Sequence, residues 1–230
     1  MNSLNFIKNC LLSLLLVFNL SFKKQTGTPD VEITLPTKIK TSEVQFKDTN
    51  KPPYKKYFNG RNFSKWVLPE GNIWWKIEDK VIKAKSGLNK KGSILWTEKE
   101  FKNYKVRLKF KFIGGTIDSG IFMRGDNHLN PQIQIGISGS LKRDMTGSPY
   151  VPKKGYPKEA TAAASVLKMN GWNTIEAQAI DNNYKVWING KYVMDYDLEN
   201  ANLNGPVGIQ LHPNREMEIW FKDISIAKIK

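Results

Sequence analysis

The fold of this chain is decided by residues 104–112, whose sequence is YKVRLKFKF. The even-numbered residues of this stretch, from Tyr104 to Phe112, are apolar, and the residues between them are all Lys or Arg. Because successive side chains of a β-strand point to opposite faces, this alternation predicts a strand with one apolar and one basic face. We expect the apolar face to pack on a core and the basic face to lie in solvent.

The same period-2 pattern continues from Tyr57 to the C-terminus. It predicts further short strands at 74–77, 81–84, 93–97, 120–124, 132–137, 174–180, 184–188, 191–196, 207–211, 216–221 and 224–229. Asn189-Gly190 predicts a tight hairpin, since both residues tolerate positive φ. The Ala-rich stretch 159–168 is the one candidate helix. Many short strands joined by short turns predict an all-β fold of two packed antiparallel sheets.

The N-terminal part of the chain differs from this body in composition. Residues 1–22 combine Lys8 with an apolar core at 11–18, which is typical of an export signal and too short to span a bilayer comfortably. Residues 23–54 are rich in Pro and Lys and predict a tether, with one short strand at 31–35. We therefore expect a folded domain at 55–230 in a periplasmic or extracellular protein, and an uncleaved signal anchor would leave it attached to the membrane.

The charge and the cysteine count exclude several function classes. The chain has 36 Lys+Arg against 21 Asp+Glu, a net charge of +15, and its single Cys excludes an internal disulfide framework. The basic residues are mostly Lys and are spread along the chain, which favours a solvated surface over nucleic-acid binding. Contact with an anionic polymer or the cell envelope remains an alternative. There is no CxxC pair, dinucleotide fingerprint or P-loop, so no cofactor is predicted.

A set of short motifs in a fixed order carries a family resemblance. The motifs are FS-x-W at 63–66, W-x-I-x-D-x-VI at 75–82, DSGIF-x-R at 118–124, QIQI at 132–135, TGS-x-Y at 146–150, GWN at 171–173, W-x-NG at 187–190, GIQLH at 208–212 and F-x-DI at 221–224. In combination they resemble the 3-keto-disaccharide hydrolase domain family, over about residues 57–230. The resemblance implies a concanavalin A-like jelly-roll sandwich, an exported protein and activity on glycosides.

Two positions depart from the family pattern. Gln132 stands where the family commonly has an acidic residue, and Asp118 stands where it usually has Asn. If the family's acidic residue takes part in catalysis, this chain would be slow or would only bind sugar. If that residue only orients a sugar hydroxyl, Gln132 can replace it, because an amide both donates and accepts hydrogen bonds.

Alternation and the family motifs together predict a sugar groove on the concave face of one sheet. The predicted substrate-binding residues are Gln132, Gln134, Gln210, Trp75, His128 and Tyr150, and the predicted catalytic residues are His212 and Arg124. Amides, Arg and His offer the directional hydrogen bonds that a hydroxyl-rich ligand needs. His128 and His212 would hold a metal with Asp126 only if all three converged, so no metal site is predicted.

The resemblance also implies a reaction that needs fewer acidic groups than an ordinary glycosidase. The ExDxxE strand signature of many jelly-roll glucanases is absent, and a retaining glucanase needs two carboxylates. A 3-keto sugar has an acidic hydrogen at C2, so one base can start an elimination that expels the C1 substituent, after which water adds. His212 would act as the base or acid and Arg124 would stabilise the enolate. The alternative is a non-catalytic carbohydrate-binding module of the same fold, which Gln132 favours.

Overall fold

The computed structural model describes residues 53–125 and 129–230. The strands are β1 (Lys55–Lys56), β2 (Trp66–Val67), β3 (Trp75–Glu78), β4 (Val81–Lys85), β5 (Ser93–Phe101), β6 (Tyr104–Gly115), β7 (Asp118–Phe122), β8 (Gln132–Gly136), β9 (Pro149–Tyr150), β10 (Asn173–Ile180), β11 (Asn183–Ile188), β12 (Lys191–Asp197), β13 (Gly205–Leu211) and β14 (Met217–Lys228). Within the described ranges, the one helical segment is a 3₁₀ turn at Leu88–Lys90.

The strands form two antiparallel sheets. The larger sheet has eight strands in the order β12-β11-β10-β6-β14-β4-β3, with β1 also paired to β14. The smaller sheet has six strands in the order β2-β5-β13-β7-β8-β9. The prediction of an all-β, two-sheet antiparallel sandwich is therefore confirmed.

The core of the sandwich consists of the inward faces of both sheets. Leu108 and Phe110 of β6 are fully buried, as are Ile121 of β7 and Ile133 of β8. On the other face of β6 the basic side chains are half-buried, and Nζ of Lys105 lies 3.7 Å from the centroid of the Trp187 ring. The alternation of residues 104–112 thus sets the two faces of the central strand as predicted.

Among the local predictions that differ from the structure, three have a clear physical reason. The strands predicted at 216–221 and 224–229 form one strand, β14 (Met217–Lys228), because a register shift between Lys222 and Ser225 absorbs the break in alternation. The stretch 159–168 forms turns and no helix. Two of its alanines, Ala160 and Ala163, are buried against the core. Strand β7 ends at Phe122, which is two residues earlier than predicted.

The predicted export signal at 1–22 lies outside the described residues, and so does the predicted tether at 23–54, apart from its last two residues. Of these, Tyr54 contacts the folded domain. Its hydroxyl donates to Glu176 Oε2 at 2.5 Å, and the Arg107 guanidinium lies 4.0 Å from its ring centroid. Among the residues that the structure describes, no helix is long and apolar enough to cross a membrane.

Candidate active site

A cleft of about 780 Å³ lies on the outer face of the smaller sheet, away from the core. Its lining residues are Asp118, Phe122, Gln132, Gln134, Ser138, Gly139, Ser140, Tyr150, Pro152, Tyr156, Gln210, His212, Pro213, Asn214 and Arg215. Of the predicted site residues, the cleft brings together the three glutamines, Tyr150 and His212.

The strand register explains why these side chains meet. Gln132 of β8 is paired with Phe122 on one side and with Tyr150 on the other. Two residues further along each strand, Gly120 of β7 is paired with both Gln134 of β8 and Gln210 of β13. These residues share a face because they lie two apart along each strand, and their neighbours Ile133, Ile121 and Ile209 point into the core.

Gln132 and Gln210 form a hydrogen-bonded amide pair whose direction is fixed. Gln132 Nε2 donates to Gln210 Oε1 at 2.6 Å and also contacts the Ser119 carbonyl oxygen at 3.3 Å. Because a backbone carbonyl can only accept, the Gln132 atom beside it must be the NH₂ group. Gln132 therefore keeps its oxygen as an acceptor for a ligand, and Gln210 keeps its NH₂ group as a donor.

Gly120 makes this amide pair sterically feasible. The Gln132 side chain crosses β7 over Gly120 to reach β13, and a Cβ at Gly120 would lie 2.2 Å from Gln132 Nε2. Any other residue at this position would displace the amide from its partner. The Gly in the Asp118-Ser119-Gly120 motif is thus required by the close approach of a side chain.

Asp118 organises the second half of the cleft. Its carboxylate is almost wholly buried, with Oδ1 accepting from Gln134 Nε2 at 2.9 Å and Oδ2 lying 3.4 Å from Arg215 Nε. Gln134 Oε1 in turn accepts from the Tyr156 hydroxyl at 3.0 Å. Burial raises the pKa of Tyr156 to about 12, so this hydroxyl keeps its proton and remains a donor at neutral pH.

His212 has a defined tautomer in this cleft. Its Nδ1 lies 2.6 Å from the Pro213 carbonyl oxygen, and since a carbonyl only accepts, Nδ1 carries the proton in the neutral imidazole. Nε2 then holds the free lone pair. The ring is about 40% exposed, and Asp118 Oδ2 lies 4.0 Å from Nδ1. The arrangement suits a general base that acts through Nε2.

The prediction that Arg124 lies in the groove is wrong. Arg124 is fully buried, and its guanidinium donates to the Lys102 and Asp181 carbonyl oxygens, both at 2.7 Å. It also contacts the Tyr184 hydroxyl of the larger sheet at 3.3 Å. Because β7 has ended and Arg124 has a φ of 65°, the alternation no longer holds and the side chain turns inward. Arg124 therefore ties loops to the core and cannot reach a ligand in the cleft.

Trp75 also lies away from the cleft, so the prediction that it binds substrate is wrong. It belongs to β3 in the larger sheet, is 2% exposed, and its Nε1 donates to Ser93 Oγ at 2.9 Å. His128 and Asp126 lie outside the described residues. In the described ranges, no group of three His, Cys, Asp or Glu side chains is arranged to hold a metal ion.

The sequence argument did not assign Asp118, Arg215 or Tyr156 to the site, although all three line the cleft. Arg215 follows His212 in the turn after β13 and supplies a cation beside Asp118. Its proximity to His212 and the scarcity of Arg in the chain were usable signals. Tyr156 lies in the loop after β9, where no strand alternation exists to place it, and its ring packs edge-on against Tyr150 at 5.3 Å.

Comparison with known proteins shows the family of the chain and relatives that share its fold. Residues 53–227 match a family model described as the 3-keto-alpha-glucoside-1,2-lyase-like domain. Two solved structures from Parabacteroides distasonis ATCC 8503, both described as candidate glycosyl hydrolases, share the fold. One has 18% identity and a TM-score of 0.56, covering 77% of this chain and 94% of its own. The other has 21% identity and a TM-score of 0.56, covering 77% of this chain and 100% of its own. No curated protein matches the chain in sequence.

Proposed function

Because the chain belongs to the 3-keto-alpha-glucoside-1,2-lyase-like domain family, we propose that it is an exported, periplasmic or extracellular enzyme that cleaves 3-keto-glycosides. The family, the glycosyl hydrolase fold relatives and the polar cleft all connect the protein with carbohydrates. The single observation that carries the proposal is the free lone pair on His212 Nε2, directed by the hydrogen bond from Nδ1 to Pro213.

The proposed reaction begins with removal of a proton. His212 Nε2 takes the C2 hydrogen of the 3-keto sugar, and the electrons of that bond form an enolate with the C3 oxygen. The enolate then collapses to a ketone with a C1–C2 double bond, and the C1 substituent leaves and takes up a proton. Water can add across the double bond afterwards, with its oxygen at C1 and a proton at C2, to give net hydrolysis.

The cleft offers donors for the enolate oxygen that replace the role first given to Arg124. Gln210 Nε2 is left as a donor by the amide pair, and Arg215 brings a guanidinium that Asp118 anchors through Nε. Donors fixed in advance stabilise a developing oxyanion without reorganisation during the reaction. Gln132 Oε1 is then an acceptor for a neighbouring sugar hydroxyl. In this scheme Gln132 orients the sugar, and a carboxylate at that position is not required.

The experiment that tests the proposal is incubation of the protein with a 3-keto-glucoside in D₂O. We expect release of the aglycone and deuterium at C2 of the recovered sugar. His212→Ala should lower both rates by about two to four orders of magnitude, as is typical for loss of an acid–base group. His128→Ala, at the other histidine of the chain, is measured beside it and tests whether His128 contributes to substrate binding as the sequence predicts. Turnover of His212→Ala close to that of the unchanged protein would refute the assignment.

A second candidate function is non-catalytic carbohydrate binding on the same cleft. The observation that favours it is the Gln132–Gln210 amide pair, which presents one acceptor and one donor and no carboxylate. With either function, the Lys and Arg side chains on the outer face of β6 would add contact with an anionic surface. Measurable sugar affinity without aglycone release from any 3-keto-glycoside would support the binding function and exclude the enzyme.

A further inference from the structure

A second hollow of about 520 Å³ adjoins the cleft on the same face of the smaller sheet. The two share Gln210 and Pro213, so they form one continuous depression with Gln210 at the junction. In the proposed reaction Gln210 contacts the sugar that becomes the enolate. The adjoining hollow therefore lies where a substituent of that sugar would extend.

The hollow differs from the cleft in chemistry. Its side chains are mainly apolar and include Val67, Pro69, Ile94 and Trp96. The Ser93 hydroxyl, which is one of the few polar groups besides Gln210, already accepts a hydrogen bond from the buried indole of Trp75. Among the described residues that line the hollow, Lys91 alone is titratable. The walls thus offer apolar area and few hydrogen-bond partners.

Trp96 supplies an aromatic surface in this hollow. The indole of Trp96 lies directly over Gly208 of β13, because a Cβ at that glycine would be 2.4 Å from Trp96 Cζ3. Its ring centroid is 5.4 Å from that of Phe122, which lines the neighbouring cleft. Backbone beneath and Phe122 beside it hold the indole in place, and the side chain is half-buried.

We propose that this hollow holds the leaving group of the glycoside and selects a flat, aromatic aglycone over a second sugar ring. The proposal rests on the function proposed above. A second sugar would place several hydroxyl groups against apolar side chains that offer them no hydrogen-bond partner. An aromatic ring needs no hydrogen-bond partner, buries apolar surface against these side chains and makes a ring contact with Trp96.

The reaction chemistry agrees with this selection. An alkoxide leaving from a sugar needs a general acid, whereas a phenolate leaves readily without one, because phenols are far more acidic than sugar hydroxyls. The hollow contains no carboxylic acid or imidazole among its described residues, and its one cationic side chain there, Lys91, suits a departing anion. The leaving-group hollow is therefore better matched to an aryl glycoside than to a disaccharide.

The test compares three unoxidised, unreactive ligands by titration calorimetry: methyl α-glucoside, 4-nitrophenyl α-glucoside and trehalose. We expect the aryl glycoside to bind about tenfold more tightly than the methyl glycoside, which corresponds to one aromatic contact. Trehalose should bind within about threefold of the methyl glycoside. Trp96→Ala should remove the aryl advantage and leave methyl glucoside binding unchanged.

Two further variants keep the test decisive. Trp96→Leu retains an apolar side chain without a flat face and should lose the same advantage if Trp96→Ala folds poorly. Trp220→Ala, on the outer face of the larger sheet, is the control and should change no affinity. Equal affinity for trehalose and the aryl glycoside, equal loss of both ligands in Trp96→Ala, or no binding of any glycoside would overturn the proposal. Aryl binding as expected, without cleavage of any 3-keto-glycoside, would support the hollow and refute the elimination.

Discussion

Substitution of Gly120 by Ala would test whether the amide pair forms the sugar-binding surface. The added Cβ would lie 2.2 Å from Nε2, 2.7 Å from Cγ and 2.8 Å from Cδ of Gln132. Because these atoms belong to a flexible side chain and not to backbone, Gln132 should move and the sheet should remain. Its amide would then leave both Gln210 Oε1 and the Ser119 carbonyl.

The size of the effect follows from the bonds that are lost. Each hydrogen bond contributes about 1 kcal/mol, and replacement of Gly by Ala returns about 0.4–1 kcal/mol by restricting the unfolded chain. The free energy of unfolding should therefore fall by about 1 kcal/mol, which is a few degrees in Tm for a domain of this size. Glycoside affinity should fall by about tenfold or more, because both the donor and the acceptor for the sugar lose their positions.

A double-mutant cycle provides the sharpest assay. Gln132→Ala removes the atoms that the new Cβ would strike, so Gly120→Ala should cost much less affinity in that background than in the unchanged protein. Glycoside binding by calorimetry and unfolding by denaturant would be measured for all four proteins. If the two substitutions are additive within about 0.5 kcal/mol, the Gln132 side chain does not cross Gly120 and the reasoning fails.

Three further outcomes are expected. Arg124→Met should lower the free energy of unfolding by about 3 kcal/mol or more, because two buried carbonyl oxygens lose a charged donor. Glycoside affinity should not change. A loss of affinity without a loss of stability would show that Arg124 does belong to the site. Burial raises the pKa of Tyr156 to about 12, so the stability that this residue contributes is complete below pH 10 and is lost between pH 10 and 12. The free energy of unfolding of Tyr156→Phe, measured with denaturant, should therefore fall less steeply over this pH range than that of the unchanged protein. Identical slopes for the two proteins would contradict this. The exported protein should begin after about residue 22, and N-terminal sequencing that finds Met1 would exclude cleavage.

The site residues that lie on strands could be predicted, because the alternation of side chains along a strand is a local property. Gln132 and Gln134 lie two apart within β8, and Gln210 lies within β13, so the side on which each projects follows from the period of two. Arg124 was misplaced because the same period was carried beyond the end of β7, where positive φ reverses the side chain. Trp75 was misplaced because alternation does not reveal which of two sheets contains a strand.

The all-β class, the central alternating strand and the family could be predicted from the sequence, because they depend on local patterns and ordered motifs. The chemistry of the cleft depends on contacts between strands that are distant in sequence. The pairing of β7 with β8 and β13 brings Asp118, Gln134 and Gln210 together from distant positions, and the turn after β13 adds His212 and Arg215. The tautomer of His212 and the direction of the amide pair depend on which carbonyl oxygens lie within hydrogen-bond distance, and that is a property of the packed chain.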